Sequence, residues 1–486
     1  MIYLTSILVY LGVLVILAAI LSRRVRNQDD FMVAGRKLGA GVLVGTLLAT
    51  WMGSGSLLGA AGLAYREGFA ALWFSAGAWI GIGLLYFVAA RARRLALFTV
   101  PDLLELRYHV AARVLGTITT VVAYTAITSY QFRAGGAVLA ITTGLDAEAG
   151  MIITALFVIT FTALAGMLSV AYTDLVNGAV MTGGMVIVFP ILLSKAGGWS
   201  GVVASLPASH FSLFGNLTWV EAIAYMLPAM LLLLGEANMY QRFFSARSES
   251  TARRAVAFWI VGLVGIELVL ACTAIVGSAL YPELGDPSAA AAGALPIGVK
   301  NASETILLYS IRHGLPVALG CLLLAAAVSM IVSTADSFLL VPSTNLARDV
   351  YQRFLRPRAT PREILIVSRV LVVLLGLAAY VQLRFFSGIL EAAMYAYTMY
   401  GAGLTPAILA AFFWKRATPA GGVASIAGGM LVTLGWELGG GTAIGPTVYP
   451  ALATSVVLLF GVSLLGRPPS RDRWRRFFEE PTAGGA

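Results

Sequence analysis

Apolar runs of 18 or more residues recur from one end of this 486-residue chain to the other, and each is long enough to cross a hydrocarbon core of about 30 Å as a helix. Such a chain cannot cover itself in water: 59% of its residues are hydrophobic and 12% charged, where a soluble domain carries roughly 25% charge. In lipid every backbone polar group needs a partner within the protein, so an all-α integral membrane protein is expected. Hydropathy places helices near 2–22, 39–65, 70–95, 112–142, 148–166, 168–194, 218–241 and 253–281, then near 315–346, 364–385, 387–414, 419–438 and 445–466. That makes about thirteen.

The net charge of +10 comes from basic residues that punctuate these runs; topology explains them, and no nucleic-acid partner is implied. Clusters follow the first helix (Arg23, Arg24, Arg26, Arg36, Lys37), the third (Arg91, Arg93, Arg94, Arg107) and the seventh (Arg242, Arg247, Arg253, Arg254). Others lie at Arg348 to Arg362, at Lys415 and Arg416, and from Arg467 to Arg476. Cytoplasmic loops retain Lys and Arg, so the amino terminus is expected outside a cell membrane and the carboxyl terminus in the cytoplasm. The first run lacks a basic segment before it, which argues for a retained helix over a cleaved signal peptide. Cys272 and Cys321 lie in apolar segments and offer no disulfide or zinc framework. His109, His210 and His313 fall on different sides, without the spacing of a metallohydrolase, and there is no G-x-x-x-x-G-K-[ST] phosphate loop. An enzyme is not expected, and no obligate protein partner is evident.

Two helices are not plain. The second contains Trp51-Met52-Gly53-Ser54-Gly55-Ser56 at bilayer depth, a stretch that either packs closely against a neighbour or unwinds where its backbone faces a cavity or an ion. The seventh contains Pro228 and then Gly235-Glu236-Ala237-Asn238. Each opens a block of five helices, and interrupted helices at matching positions of two halves point to an inverted repeat with a site at the midplane. The expected division is 1–38 for an extra helix and first cytoplasmic loop, 39–195 and 196–416 for the two repeats, and 417–486 for two further helices and a tail.

At these residues the chain resembles the sodium:solute symporter family. Asp30-Phe31 with Ala34-Gly35-Arg36, then Gly166 to Asp174, then Gln241-Arg242 with Ala246-Arg247, match its motifs in order. Ala327 to Ser337, followed by Arg348-Asp349-Val350-Tyr351, is the most specific match. The resemblance implies a five-plus-five inverted-repeat transporter with one helix before the core and two after it, importing a small-molecule solute across the lipid bilayer with Na+ as the coupling ion. It also implies a sodium site made by the carbonyls of Ala49, Met52 and Met330 and the hydroxyls of Ser333 and Thr334, oxygen ligands of the kind a hard cation takes. Asp174 then stands on the ion's exit path or anchors a helix end, and Asp336 is an ion-pathway residue or a buried hydrogen-bond hub. Proton coupling and a transporter-like sensor are the alternatives of the same fold.

Ionisable residues inside spans are costly and mark function. Arg133, beside Gln131, either meets a substrate carboxylate or pairs with Glu236. Glu267 and Glu391 read as solvated near the outer half or a helix end. Trp51 in the run Thr50-Trp51-Met52-Gly53 is similar to the choline-transporting branch, where an aromatic face holds a quaternary ammonium. With Gly53, Ser54, Glu236 and Tyr397 it completes the expected solute contacts, leaving a cationic amine and a carboxylate-bearing solute both open. One sodium ion crossing 100 mV supplies about 2.3 kcal/mol, and a tenfold gradient adds about 1.4 kcal/mol. Together they support roughly 500-fold accumulation of a neutral solute.

Overall fold

The computed structural model describes residues 2–22, 33–164, 167–285 and 301–479. Arg23, Arg24, Arg26, Asp30, Phe31, Gly166 and Asp286 lie outside the described residues. Helices occupy every expected stretch, and no strand occurs among the described residues. The main ones are α1 (Ile2–Ser22), α2 (Ala40–Trp51), α3 (Ala61–Glu67), α4 (Leu72–Leu85), α5 (Val110–Thr143), α6 (Ala147–Leu164), α7 (Met167–Lys195) and α8 (Trp219–Gly235). They continue with α9 (Ala237–Ser245), α10 (Glu249–Leu280), α11 (Val317–Asn345), α12 (Pro361–Gln382), α13 (Ile389–Phe413), α14 (Pro419–Leu438) and α15 (Val448–Leu465). Among the described residues eleven helical stretches are long and apolar enough to cross a membrane; Ile2–Leu17 and Ala40–Trp51 are shorter apolar helices, and Gly55–Leu85 counts as one stretch.

Side-chain chemistry sets the ends. Thr218 caps α8 in a reciprocal box, accepting from Glu221 N while its own N–H donates to Glu221 Oε2; this satisfies two donors a helix start leaves open. Thr360-Pro361 and Thr418-Pro419 start α12 and α14, where proline's fixed φ and missing N–H suit the first turn.

Burial sorts the helices into centre and rim. Within its apolar window α13 is 89% buried and α11 78%, against 28% for α15 and 33% for α12. A helix apolar all round and enclosed by protein is a core helix. On α12 the exposed Ile366, Val370, Leu374, Leu377 and Val381 make a lipid-facing stripe.

Small residues let the central helices touch. A Cβ on Gly77 of α4 would stand 2.0 Å from the Met226 carbonyl oxygen of α8, and one on Gly401 of α13 would stand 2.6 Å from Leu231. Where apolar burial gives no net pull, such backbone approach supplies the packing. Leu38, ahead of α2, pairs with the strand-like backbone after α9: its N–H donates to Ser245 O and its carbonyl accepts from Arg247 N, both at 3.1 Å. The start of one interrupted helix thus lies beside the end of the other, and the two run in opposite directions.

Candidate functional site

The first interruption is narrower than the sequence implied. α2 stays helical through Trp51, then Met52 turns to ψ 43° and the chain re-enters a π-helical turn at Gly55–Ala60 ahead of α3. Gln131 Oε1 from α5 accepts the Ser54 N–H at 3.1 Å, replacing a bond the helix would have made. Gly53 is required by space: a Cβ there would stand 2.7 Å from Thr334 Cγ2 and 2.8 Å from Gln131 Nε2. Thr334 Oγ1 of α11 faces the Ala49 carbonyl at 3.4 Å, long for an O–H···O bond. Met52 and Met330 are buried. Ser333, next to Thr334, donates to Asp174 Oδ1.

Asp174 lies in mid-helix on α7, which removes the reading of it as a helix-end anchor. Thr46 donates to its Oδ2 at 2.5 Å and Thr50 faces the same atom at 3.4 Å. Arg242 Nη2 stands 3.2 Å from that oxygen, and both side chains are buried. The guanidinium also donates to Thr46 (3.0 Å), Ser337 (3.1 Å), the Asn238 carbonyl (3.3 Å) and Thr50. Arg242 is therefore not a loop cation, as the charge pattern had grouped it, whereas the equally buried Arg107 donates to the carbonyls of Trp414 and Lys415 in the α13–α14 connection. The signal for Arg242 was its place seven residues after Gly235, where the helix containing Pro228 is broken. Asp336, on α11, is buried.

The second interruption sits between α8 and α9, where Glu236 is extended at φ −61°, ψ 120°. Tyrosines of neighbouring helices replace the lost helical bonds. Tyr400 donates to Gly235 O and accepts from Ala237 N, each at 3.0 Å, while Tyr124 accepts from Asn238 N at 3.3 Å. One Glu236 oxygen faces Asn238 Nδ2 at 3.4 Å; the other has no hydrogen-bond partner among the described residues.

Two expectations are overturned here. Glu267 is buried, not solvated: its two oxygens accept from the indole N–H groups of Trp51 (2.8 Å) and Trp79 (2.6 Å). That contact fixes Trp51, whose ring lies 5.8 Å from that of Tyr397. Arg133 does not pair with Glu236; it donates to the carbonyls of Leu383 (2.9 Å) and Phe386 (2.6 Å) between α12 and α13. The reason is packing: residues 131 and 133 on one helix face different neighbours, and only Gln131 faces the interruption.

Between the interruptions is a pocket of about 10 Å³ lined by Trp51, Gly53, Gln131, Leu232, Thr334 and Tyr397, room for about one water. Among the described residues Ser54 Oγ, Thr128 Oγ1, Gln131 Nε2 and Glu236 Oε2 are buried with no hydrogen-bond partner, and of these only Gln131 lines the pocket. Buried polar atoms seldom stay unpaired.

Two interrupted helices in opposite directions, enclosing unpaired polar groups at the centre of a membrane-spanning bundle, define a secondary transporter of the inverted-repeat type. The chain belongs to the sodium:solute symporter family, whose sequence profile matches residues 31–429. It is 28% identical over 453 residues to a sodium/proline symporter of Staphylococcus aureus, covering 88% of this chain and 84% of that one. It is 26% identical over 475 residues to the osmoregulated proline transporter OpuE of Bacillus subtilis, covering 94% and 93%. A solved Na+-coupled sialic acid symporter, in a substrate-bound outward-open state, superposes with a TM-score of 0.81 at 18% identity over 97% of this chain and 99% of that chain. The nucleobase-cation-symport-1 family transporter Mhp1 superposes at 0.60 and 12% identity, covering 93% and 99%. The protein is thus a multi-pass, sodium-coupled transporter of a small solute, not an enzyme, with Na+ as the coupling ion.

Proposed function

We propose that the chain imports a zwitterionic amino acid of the proline type together with sodium. The carrying observation is that the unpaired atoms at the two interruptions are of both kinds. Gln131 Nε2 and Ser54 Oγ can donate to a carboxylate, and Glu236 Oε2 can accept from an ammonium. A buried carboxylate without a counter-charge is costly, and a bound ammonium would supply one. The proline-transporting names of two relatives support the same class. Trp51 and Tyr397 form the apolar wall of this site, with Gly53 admitting the solute close to backbone. The Glu267 contact to the Trp51 indole N–H fixes the orientation of the ring in that wall.

The proposed sodium ligands are the carbonyls of Ala49, Met52 and Met330 and the hydroxyls of Ser333 and Thr334. Two oxygens at right angles about a hard cation, each about 2.4 Å from it, stand about 3.4 Å apart, and Thr334 Oγ1 and Ala49 O have that separation. Asp174 would orient Ser333 and set the local charge, with Asp336 further along the ion's path. Repeats at 39–195 and 196–416 would rock around these sites. The loop cations other than Arg107 and Arg242 support an amino terminus outside and a carboxyl terminus in the cytoplasm.

The test is uptake into proteoliposomes of proline, choline, a short carboxylate and a sugar, with and without an inward sodium gradient. Gradient-driven accumulation of proline in preference to choline and the carboxylate is expected. Accumulation of choline alone would overturn the zwitterion assignment, and accumulation that ignores sodium would overturn the ion site.

A further inference from the structure

Topology asks only that basic residues stay on one side of a membrane; those after α15 are also folded into a fixed element. Pro468, Pro469 and Ser470 lead into a short helix, α16 (Arg471–Phe478). Residues three and four apart share a helix face, so Trp474, Phe477 and Phe478 lie on one side and Asp472, Arg475 and Arg476 on the other. The aromatic side is docked on the bundle. Phe477 is buried against Phe412 at the end of α13, with ring centres 5.5 Å apart, and Lys415 Nζ stands 4.8 and 5.3 Å from the Trp474 and Phe478 ring centres. Arg473 Nη1 donates to the Tyr108 carbonyl, just before α5, at 2.7 Å.

The opposite side is cationic and lies at the edge of the apolar belt. Leu464 and Leu465, the last residues of α15, are 60% and 91% exposed, as lipid-facing side chains are, and Arg467 follows directly after Gly466. Arg467, Arg471, Arg475 and Arg476 are all exposed, with Lys415 beside them. Glu479 takes two of these charges, Arg471 at 2.7 Å and Arg475 at 3.1 Å. Among the described residues no ion pair reaches Arg467, Arg476 or Lys415, and Asp472 is the other acid of the segment. The patch therefore keeps a surplus of positive charge beside the end of a lipid-facing helix.

We propose that α16, with Lys415 and Arg467, is a binding surface for anionic phospholipid headgroups of the bilayer around the protein. The occupant follows from charge and place. Guanidinium forks match phosphate oxygens, and basic residues on an amphipathic helix beside a span attract anionic lipid. Because the aromatic side is occupied by Phe412 and Lys415, the helix stays on the bundle and the headgroup comes to it. Through Phe412 and Tyr108 the bound lipid steadies the ends of α13 and α5, the helices that bring Tyr400 and Gln131 to the two interruptions. The assignment does not depend on which solute is carried.

The experiment reconstitutes the purified full chain in vesicles of equal phosphatidylcholine and phosphatidylglycerol, extracts it in mild detergent and measures the co-purifying lipid by mass spectrometry. Phosphatidylglycerol should be enriched roughly fivefold or more on the wild type, the effect of one cation near the surface, and the enrichment should be lost when Arg467→Gln and Arg476→Gln are combined. These two side chains make no ion pair among the described residues, so this variant should keep the wild-type thermal midpoint in phosphatidylcholine alone. Phosphatidylglycerol should then raise the midpoint of the wild type and not of the variant, since a ligand of the folded state stabilises it. Arg467→Lys with Arg476→Lys keeps the charge and should keep the enrichment. No enrichment on the wild type, equal enrichment on the glutamine variant, or loss of enrichment in the lysine variant as well overturns the proposal. Arginine-dependent binding of poly-glutamate without lipid enrichment would give the surface to an acidic protein partner and overturn the lipid assignment.

Discussion

Arg242 of α9 and Asp174 of α7 form an ion pair at 3.2 Å with side chains 1% and 0% exposed, joining the second interrupted helix to the helix that accepts from Ser333. Thr46, Thr50, Ser333 and Ser337 fill the remaining hydrogen-bond positions of the pair. A buried pair is strongly destabilising to break because the survivor stays uncompensated, by about 3–5 kcal/mol. Arg242→Ala and Asp174→Ala should each lower the denaturation midpoint of the purified protein by an amount of that order. Arg242→Ala and Asp174→Ala combined should cost less than the two single changes summed. A strictly additive double-mutant cycle would show that the pair is not coupled.

Ser333 and Thr334 are adjacent but differently placed, so their alanine variants should differ. Thr334→Ala should raise the sodium concentration for half-maximal uptake by about tenfold, the loss of one ligand or hydrogen bond to a charged group, with little change in stability. Ser333→Ala should do the same and also lower the thermal midpoint, because it leaves Asp174 Oδ1 without its donor. Sodium dependence left intact in the double variant would remove these residues from the ion site.

Gly53→Ala should reduce uptake more than tenfold without lowering the amount of protein in the membrane, a 1.4 kcal/mol effect by the usual conversion. The added carbon would stand under 3 Å from Thr334 and Gln131 side-chain atoms, so those side chains must move off the site. Gly435→Ala on α14 is the control, with nothing within 4 Å of its Cβ position. Equal uptake by both variants would show that the close approach at Gly53 is dispensable.

Trp51→Phe keeps a ring against Tyr397 but removes the N–H from Glu267 Oε1. A buried acceptor deprived of its donor costs about 1–3 kcal/mol, so the thermal midpoint should fall. Trp79→Phe, acting on the other oxygen, should have a similar effect. If Trp51→Phe left stability unchanged while abolishing uptake, the indole N–H would instead belong to the transport cycle.

The sequence by itself determined the membrane setting, the positions and order of the helices and the two places where helical bonding fails. These follow from hydropathy and from local backbone chemistry: Gly53 and Gly55 in one span, Gly235 and Glu236 in the other. Motif order added the family and pointed to Ser333 and Thr334. Only the tertiary structure decided which partners those residues meet. Hydropathy reads along one helix at a time, so Arg242 looked like a loop cation until α9 was packed against α7 and brought it to Asp174. For the same reason Glu267 looked solvated until α2 and α4 put two indoles on it, and Arg133 could not be separated from Gln131. The partner of a buried charge is set by which helix faces are in contact, and that is information a linear pattern does not carry.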